Sequence, residues 1–114
     1  MKLSSIFLLS ATVIGISCGQ ILFKLGALGL VKDAKLWAIF LSMPVIAGIL
    51  IYGASTVMWI YLLREIALSK AYPFFALSFV FVPILSWIFF SEALDKTYFA
   101  GMLFIIIGVI LATR

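Results

Sequence analysis

Residues 3–23 read LSSIFLLSATVIGISCGQILF, an apolar stretch without a charged side chain between Lys2 and Lys24. A helix needs about 20 predominantly apolar residues to cross the hydrocarbon core of a bilayer, and this stretch is long enough to do so. Charged residues separate three more runs of the same kind farther along the chain. The pattern predicts four membrane-spanning helices, at residues 3–23, 36–63, 71–91 and 97–113. The second run exceeds the length of one span, so we expect it to tilt or to begin near Pro44.

The composition of the 114-residue chain is that of a membrane protein, because 67% of its residues are hydrophobic and only 11% are charged. Soluble domains are nearer half apolar and a quarter charged. A soluble chain this short cannot hide so much apolar surface, because small domains bury only a modest fraction of their surface. We therefore predict an all-α membrane protein, a single domain over residues 1–114 with four transmembrane helices and short loops.

Side chains that carry catalysis or bind metals are scarce. The chain has no histidine, one cysteine at position 18, and four carboxylates, none of which has a second acid at metal-site spacing in the same helix. The net charge of +4 reflects Lys and Arg residues near the ends of the apolar runs, where membrane proteins usually place them. These residues form no clustered basic face. We expect no enzymatic activity, no metal or cofactor, and no nucleic-acid partner.

The basic residues divide evenly between the two predicted membrane faces. One face has Lys2, Arg64, Lys70 and Arg114, and the other has Lys24, Lys32, Lys35 and Lys96. Because positively charged loops favour the cytoplasmic side, this balance predicts no single orientation. Chance is one explanation in so small a protein. The other is a subunit that inserts both ways or pairs with an oppositely oriented partner.

Helix 1 carries two neighbouring stripes. Ala11, Gly15 and Gly19 repeat every four residues, and such small residues let another helix approach closely. Gln20 and Lys24 belong to a polar stripe at helical spacing. An amide is costly in lipid, so we expect Gln20 to face protein or water. Lys24 either extends its ammonium group to the interface or lines a substrate pathway.

Helix 2 places Tyr52, either Ser55 or Thr56, and Trp59 on one face. Tyr52 and Ser55 lie too deep to be interfacial anchors. Aromatic rings and hydroxyls suit a sugar or an organic cation, because rings offer apolar area and cation–π attraction. Packing between helices explains the same face equally well.

Helix 4 has no charged or strongly polar residue from Gly101 to Ala112. Gly101 and Gly108 lie one heptad apart on a single face, a spacing that suits close helix packing. We interpret helix 4 as an association helix with these glycines at an oligomer interface. The alternative is that they only pack helices within one subunit.

Several short motifs cover nearly the whole chain. They are Gly19-Gln20 with Lys24, Ala67-Leu68-Ser69-Lys70-Ala71-Tyr72-Pro73, Leu85-Ser86-Trp87 with Phe89-Phe90, Glu92 and Leu94, and Gly101 with Ile107-Gly108-Val109. Together they resemble the drug/metabolite transporter superfamily, and more narrowly its small four-helix members. The resemblance rests on the combined string, since no single motif is specific.

Two branches of that superfamily compete. Small multidrug resistance exporters carry a helix 1 glutamate that couples proton and drug, at a position corresponding to about Ile16, but the first run here has no acid. The chain is more similar to the EamA-like paired flippase subunits for undecaprenyl phosphate–aminoarabinose. The residues it shares with them are Gly19, Gln20, Lys24, Trp59, Ala71, Tyr72 and Pro73.

The resemblance implies a multi-pass transporter subunit of the bacterial inner membrane that flips a polyprenyl-phosphate-linked sugar. A small multidrug or metabolite exporter of the same superfamily is the alternative, followed by a membrane subunit without transport of its own. We expect the substrate to contact Gln20, Lys24, Tyr52, Ser55, Trp59, Arg64 and Tyr72.

Lys24 and Arg64 are the expected phosphate partners, although an ion pair between Lys24 and Glu92 would be a competing structural role. Four short helices are too few to enclose a wide polar pathway. We therefore expect an antiparallel homodimer, or a heterodimer with a similar small subunit, assembled through helix 4. A parallel dimer is the alternative.

Overall fold

Long apolar runs in a bilayer fold as helices, because every backbone N–H and C=O there needs a partner within the protein. The computed structural model describes residues 2–114, which form helices and no β-strand. The elements are α1 (Leu3–Leu28), a 3-10 segment (Leu36–Leu41), α2 (Met43–Leu63), α3 (Leu68–Phe75), α4 (Ser78–Phe90) and α5 (Lys96–Ala112). The all-α prediction is confirmed for these residues.

Three helical stretches are long and apolar enough to cross a membrane. They are Leu3–Leu28, Met43–Leu63 and the stretch Leu68–Phe90, which contains both α3 and α4. The remaining helix, α5, is apolar but has only 17 residues. At 1.5 Å per residue it is about 25 Å long, a little less than the hydrocarbon core.

The first predicted helix ends too early, because α1 continues past Phe23 and Lys24 to Leu28. Lysine is a good helix former, so one lysine near a membrane interface does not stop a helix. The end comes instead at Gly29, whose backbone N–H donates to the carbonyls of Leu25 and Gly26.

The second predicted helix, residues 36–63, differs from the structure at its start. Residues 36–41 form a separate 3-10 segment, Ser42 is extended, and α2 begins at Met43 with Pro44 in its first turn. Proline has no N–H to continue a helix from upstream, whereas its fixed φ suits a helix start. The alternative start near Pro44 is therefore the one observed.

The third predicted helix, residues 71–91, begins three residues earlier and is interrupted at Ala76 and Leu77. Pro73 consequently lies inside α3 rather than in a first turn. The fourth, residues 97–113, is α5 shifted by one residue at each end. Its start is fixed by Asp95, whose carboxylate accepts a hydrogen bond from the Tyr98 N–H at 2.8 Å.

Helix α1 is the centre of the fold and packs most extensively on α2. Leu9 and Val13 of α1 are fully buried against Leu62, Ala71 and Phe74 of the next two spans. The molecule measures 48 × 37 × 19 Å, so its thinnest dimension is about two helix diameters. Such a thin bundle leaves most of α5 facing outward.

Candidate functional site

All five α-helices of the described chain contribute to a partly open cavity of about 280 Å³ near the middle of α2. We call it the central cavity. Its lining residues are Ile16, Gln20, Tyr52, Phe75, Ser78, Phe79, Val82, Pro83 and Tyr98. None of these side chains is charged, and four of them carry an amide or a hydroxyl. The cavity therefore offers hydrogen bonds and aromatic rings without a fixed charge.

Glycines bring Gln20 and Tyr52 to the same cavity by letting α1 and α2 approach closely. A Cβ atom at position 19 would lie 3.3 Å from the Tyr52 Cβ and 3.4 Å from the Gly48 carbonyl oxygen. A Cβ at position 48 would lie 2.8 Å from the Phe23 ring. The contact face predicted for helix 1 is thus confirmed at Gly19 of α1. The close approach of the two helices at Gly19 positions the next residue, Gln20.

The interruption between α3 and α4 forms the wall opposite α1. Pro73 removes one helical N–H, and the chain then makes tighter turns, with the N–H groups of Ala76 and Leu77 donating to Pro73 and Phe74. The Ser78 hydroxyl donates to the Phe75 carbonyl at 2.7 Å, which satisfies an acceptor that the break exposes. Broken membrane helices commonly border cavities, because the freed backbone groups need polar partners.

Pro83 adds a second irregularity to the same wall. It is buried inside α4 and lines the central cavity together with Phe79. Because proline lacks an N–H, the Phe79 carbonyl loses its α-helical donor. The wall of the cavity thus contains a backbone carbonyl without an α-helical donor.

Aromatic rings continue from the cavity toward the start of α3. The Phe75 ring contacts Trp59 edge-on with centroids 4.7 Å apart and stacks on Tyr72 with centroids 5.6 Å apart. On the other side, the Tyr52 ring lies 5.9 Å from that of Phe23. Phe75 therefore links the predicted site residues Trp59 and Tyr72 to the cavity, which neither of them lines.

The structure separates the other predicted site residues from this cavity. Ser55 lies against Gly15, because a Cβ atom placed at position 15 would overlap the Ser55 hydroxyl. Ser55 therefore contacts α1. Lys24 is exposed one turn beyond Gln20. Arg64 follows the end of α2, and its guanidinium lies 4.5 Å from the centre of the Tyr61 ring.

Two polar residues of the cavity, Ser78 and Tyr98, are absent from the contacts predicted from sequence, as are the rings of Phe75 and Phe79. Ser78 follows Pro73 by five residues within a run where backbone groups are freed, which was a usable signal. No such signal points to Tyr98, because it lies at the start of the helix that the sequence pattern marks as an association helix. It comes to the cavity only because the Asp95 cap begins α5 there.

Gly101 and Gly108, which lie in α5, contact no other helix within the described chain. Among residues 2–114, no atom lies within 4 Å of a Cβ placed at Gly101 or Gly108. Gly101 instead lines an open pocket of about 450 Å³ that shares Phe79 and Tyr98 with the central cavity. Within the described residues, neither glycine therefore brings α5 against another helix.

Curated relatives carry names that refer to lipid-linked sugar transport. One is a probable 4-amino-4-deoxy-L-arabinose-phosphoundecaprenol flippase subunit ArnF from Proteus mirabilis, 40% identical over 69% of this chain and 62% of the relative. The probable ArnE subunit of Pseudomonas aeruginosa is 36% identical over 59% of this chain and 58% of the relative. The probable ArnE subunit of Pseudomonas paraeruginosa is 34% identical over 94% of this chain and 95% of the relative.

The chain thus spans about three fifths of the length of the first two relatives and nearly the full length of the third. No solved structure matches the chain. A model of the EamA-like transporter family matches residues 2–114, which include every helix described above. With its apolar helices of membrane-spanning length, this multi-pass membrane protein belongs to the EamA-like transporter family.

Proposed function

We propose that the chain is a subunit of a flippase that moves a polyprenyl-phosphate-linked sugar across the bacterial inner membrane. The observation that carries this proposal is the central cavity, in which an amide, three hydroxyls and aromatic rings line a space inside the membrane-spanning bundle without a charged group. The names of the relatives give the proposal its chemical class.

A sugar headgroup matches the lining of this cavity. Sugar hydroxyls can exchange hydrogen bonds with Gln20, Tyr52, Ser78 and Tyr98, while the rings of Phe75 and Phe79 cover the apolar faces of the sugar. Because the cavity is partly open, the polyprenyl tail can stay in lipid while only the headgroup crosses.

The alternative of a proton-coupled exporter lacks its acid. The carboxylate of such exporters would stand at about Ile16, and this residue is a buried isoleucine in the wall of the central cavity. No other residue of the lining replaces it. The lining therefore supplies no carboxylate for proton exchange, and it suits a sugar through hydrogen bonds and aromatic contacts.

We assign α5 as the fourth membrane span in this proposal. Its residues from Phe99 to Ala112 are apolar, and the charged Lys96 and Arg114 stand at its two ends. A helix slightly shorter than the hydrocarbon core is accommodated by local thinning of the bilayer at a modest cost.

Gln20 and Tyr52 are assigned to the sugar, with Trp59 and Tyr72 supporting it through the shared Phe75 ring. Ser55 holds α1 against α2, and Arg64 is left as a phosphate partner at the end of α2. Lys24 lies on the polar stripe one turn beyond Gln20, at the opposite membrane face from Arg64. We assign Lys24 to the phosphate of the substrate.

A Lys24→Gln variant is expected to lower transport about fivefold, because a cation close to the membrane surface contributes about 1 kcal/mol toward an anionic lipid. Redistribution of the lipid-linked sugar between leaflets should be measured at matched protein levels. Lys32→Gln, which removes an equal charge on the same face, is the control. Unchanged transport in Lys24→Gln would instead assign Lys24 to the interface or to a pair with Glu92.

We further propose that two subunits, identical or similar, join antiparallel through α5. The support is geometric: Gly101 and Gly108 face outward, and the pocket beside Gly101 shares Phe79 and Tyr98 with the central cavity. A second subunit at this face would close the open side of the cavity, as expected when each chain supplies one inverted repeat.

Cysteine cross-linking should reveal this arrangement in native membranes. With Cys18 replaced by serine, Gly101→Cys in one copy is expected to cross-link to Gly108→Cys in another, because antiparallel helices place these positions opposite each other. The matched pairs of Gly101→Cys with itself and Gly108→Cys with itself should cross-link weakly. Cross-links confined to identical positions would indicate a parallel dimer and contradict the proposal.

The proposed function is tested in cells by deleting the gene and following the lipid-linked sugar. Membrane vesicles of both orientations should show the sugar accumulating in one leaflet, and the intact gene should restore its distribution. A deletion that leaves the leaflet distribution unchanged would count against a flippase.

A further inference from the structure

A second and larger cavity lies at the end of the bundle where α1 and α3 begin and α5 ends. It has a volume of about 610 Å³, and we call it the basal pocket. Its lining residues are Lys2, Ser5, Glu65, Ile66, Ala67, Lys70, Thr113 and Arg114. None of the residues assigned to the substrate above lines this pocket.

Positive charge dominates the basal pocket. Lys2, Lys70 and Arg114 come from three separate parts of the chain, and Glu65 is the only carboxylate side chain in the lining. The Lys70 ammonium donates a hydrogen bond to the Arg114 carbonyl oxygen at 3.3 Å, which ties the start of α3 to the end of α5. Among the side chains of the lining, three cations stand against one carboxylate, and this excess of positive charge favours an anion.

The N-terminus of α3 adds to this preference. Its capping residue, Ala67, lines the pocket and has no side-chain acceptor, and the first turn contains no acidic residue. The N–H groups of Lys70 and Ala71 bond to the Ala67 carbonyl, whereas those of Leu68 and Ser69 have no acceptor within the helix. Exposed N–H groups and the positive end of the helix dipole favour negative charge at this position.

The depth of the pocket identifies the kind of anion. Lys2 and Lys70 lie at the starts of two helical stretches long enough to span a membrane, and Arg114 follows α5, which we assign as the fourth span. This assignment places all three cations at the level of the lipid headgroups. Ile66 and Ala67 supply an apolar margin beside them. Basic pockets between membrane helices are suited to phosphate headgroups whose acyl or prenyl chains remain in the bilayer.

We propose that the basal pocket binds the phosphate of a membrane lipid through Lys2, Lys70, Arg114 and the N-terminus of α3. The site is at the membrane face opposite Lys24. If the bound lipid is the transported one, a step that rests on the proposed function, the headgroup has a phosphate site at each end of its path. The sugar-binding central cavity then lies between the two.

Lipid binding should be measured with the purified full-length chain in dodecyl maltoside micelles, which contain no phosphate. The probes are undecaprenyl phosphate, phosphatidylglycerol and inorganic phosphate. Each cation removed is expected to weaken lipid binding about fivefold, so Lys70→Gln loses about that factor and a variant with all three cations replaced loses roughly a hundredfold. Glu65→Gln should tighten binding about fivefold by removing a repulsive charge.

Lys32→Gln is the matched control, because it removes a cation at the other membrane face. Circular dichroism of each variant should show unchanged helix content, so that loss of binding is not loss of fold. Preferential binding of undecaprenyl phosphate would identify the substrate as the lipid, and equal binding of phosphatidylglycerol would identify a general anionic lipid. Both results support a lipid-phosphate site.

Three results would overturn the proposal. They are equal affinity for inorganic phosphate and the lipids, unchanged lipid binding in Lys70→Gln and the triple variant, and an equal loss in Lys32→Gln. Because this assay measures binding without transport, it can succeed when the leaflet assay fails, and the two proposals can be rejected separately.

Discussion

A Gln20→Leu variant is expected to move lipid-linked sugar roughly tenfold more slowly than the parent chain, because one hydrogen bond to a sugar hydroxyl is lost without a replacement. Gln20 supplies the only amide of the central cavity and sits where Gly19 brings α1 against Tyr52. Leucine has a similar length but offers no donor or acceptor.

The fold of this variant should be intact. Gln20 is exposed in the single chain, and a leucine in a membrane helix is less costly than an amide. Transport should therefore fall while protein level and helix content stay the same. Gln20→Asn keeps the amide and serves as the control, with the expectation of partial activity. Full transport in Gln20→Leu would remove this residue from the sugar site.

A Gly19→Leu variant is expected to lower the free energy of unfolding by about 3 kcal/mol, because the new side chain must separate α1 from α2. Even a Cβ atom at this position lies at contact distance from the Tyr52 Cβ and from the Gly48 carbonyl oxygen. The second of these is backbone and cannot move aside by a change of rotamer. The unfolding midpoint in detergent is the measurement.

Gly53→Leu provides the matched comparison for this prediction. Gly53 lies in the same pair of helices, but no described atom is within 4 Å of a Cβ placed there. A leucine at position 53 faces lipid and should change stability by less than about 0.5 kcal/mol. Leucine is a better helix former than glycine, so helix propensity cannot explain a loss of stability in either variant. Equal destabilisation by the two substitutions would show that the close approach of α1 and α2 at Gly19 does not set the effect.

The membrane-spanning runs could be predicted because charged residues delimit them directly. Pro44 and Pro73 lie next to two of the places where the helices depart from those runs, since each proline removes an N–H and reshapes the turn next to it. The interruption at Ala76 and Leu77 could not be located from its own residues, because both are ordinary helix formers and the cause lies upstream at Pro73.

The candidate site was predictable where a polar residue stood in an apolar run. Gln20 and Tyr52 meet that description, and both line the central cavity. Ser55 meets it as well, yet it packs against Gly15, because a small hydroxyl serves helix contacts as readily as ligands. Tyr98 and the basal pocket depend on which helix ends lie together, and tertiary structure alone supplies that information.

The central claim, that this chain carries a lipid-linked sugar through a polar cavity in the bundle, is tested most directly in proteoliposomes. The purified subunit and its native partner are reconstituted with a labelled polyprenyl-phosphate sugar, and a membrane-impermeant reagent reports the fraction of headgroups in the outer leaflet. The account predicts that the sugar crosses faster than in protein-free vesicles and that Gln20→Leu reduces this rate roughly tenfold. A rate equal to that of protein-free vesicles would contradict it.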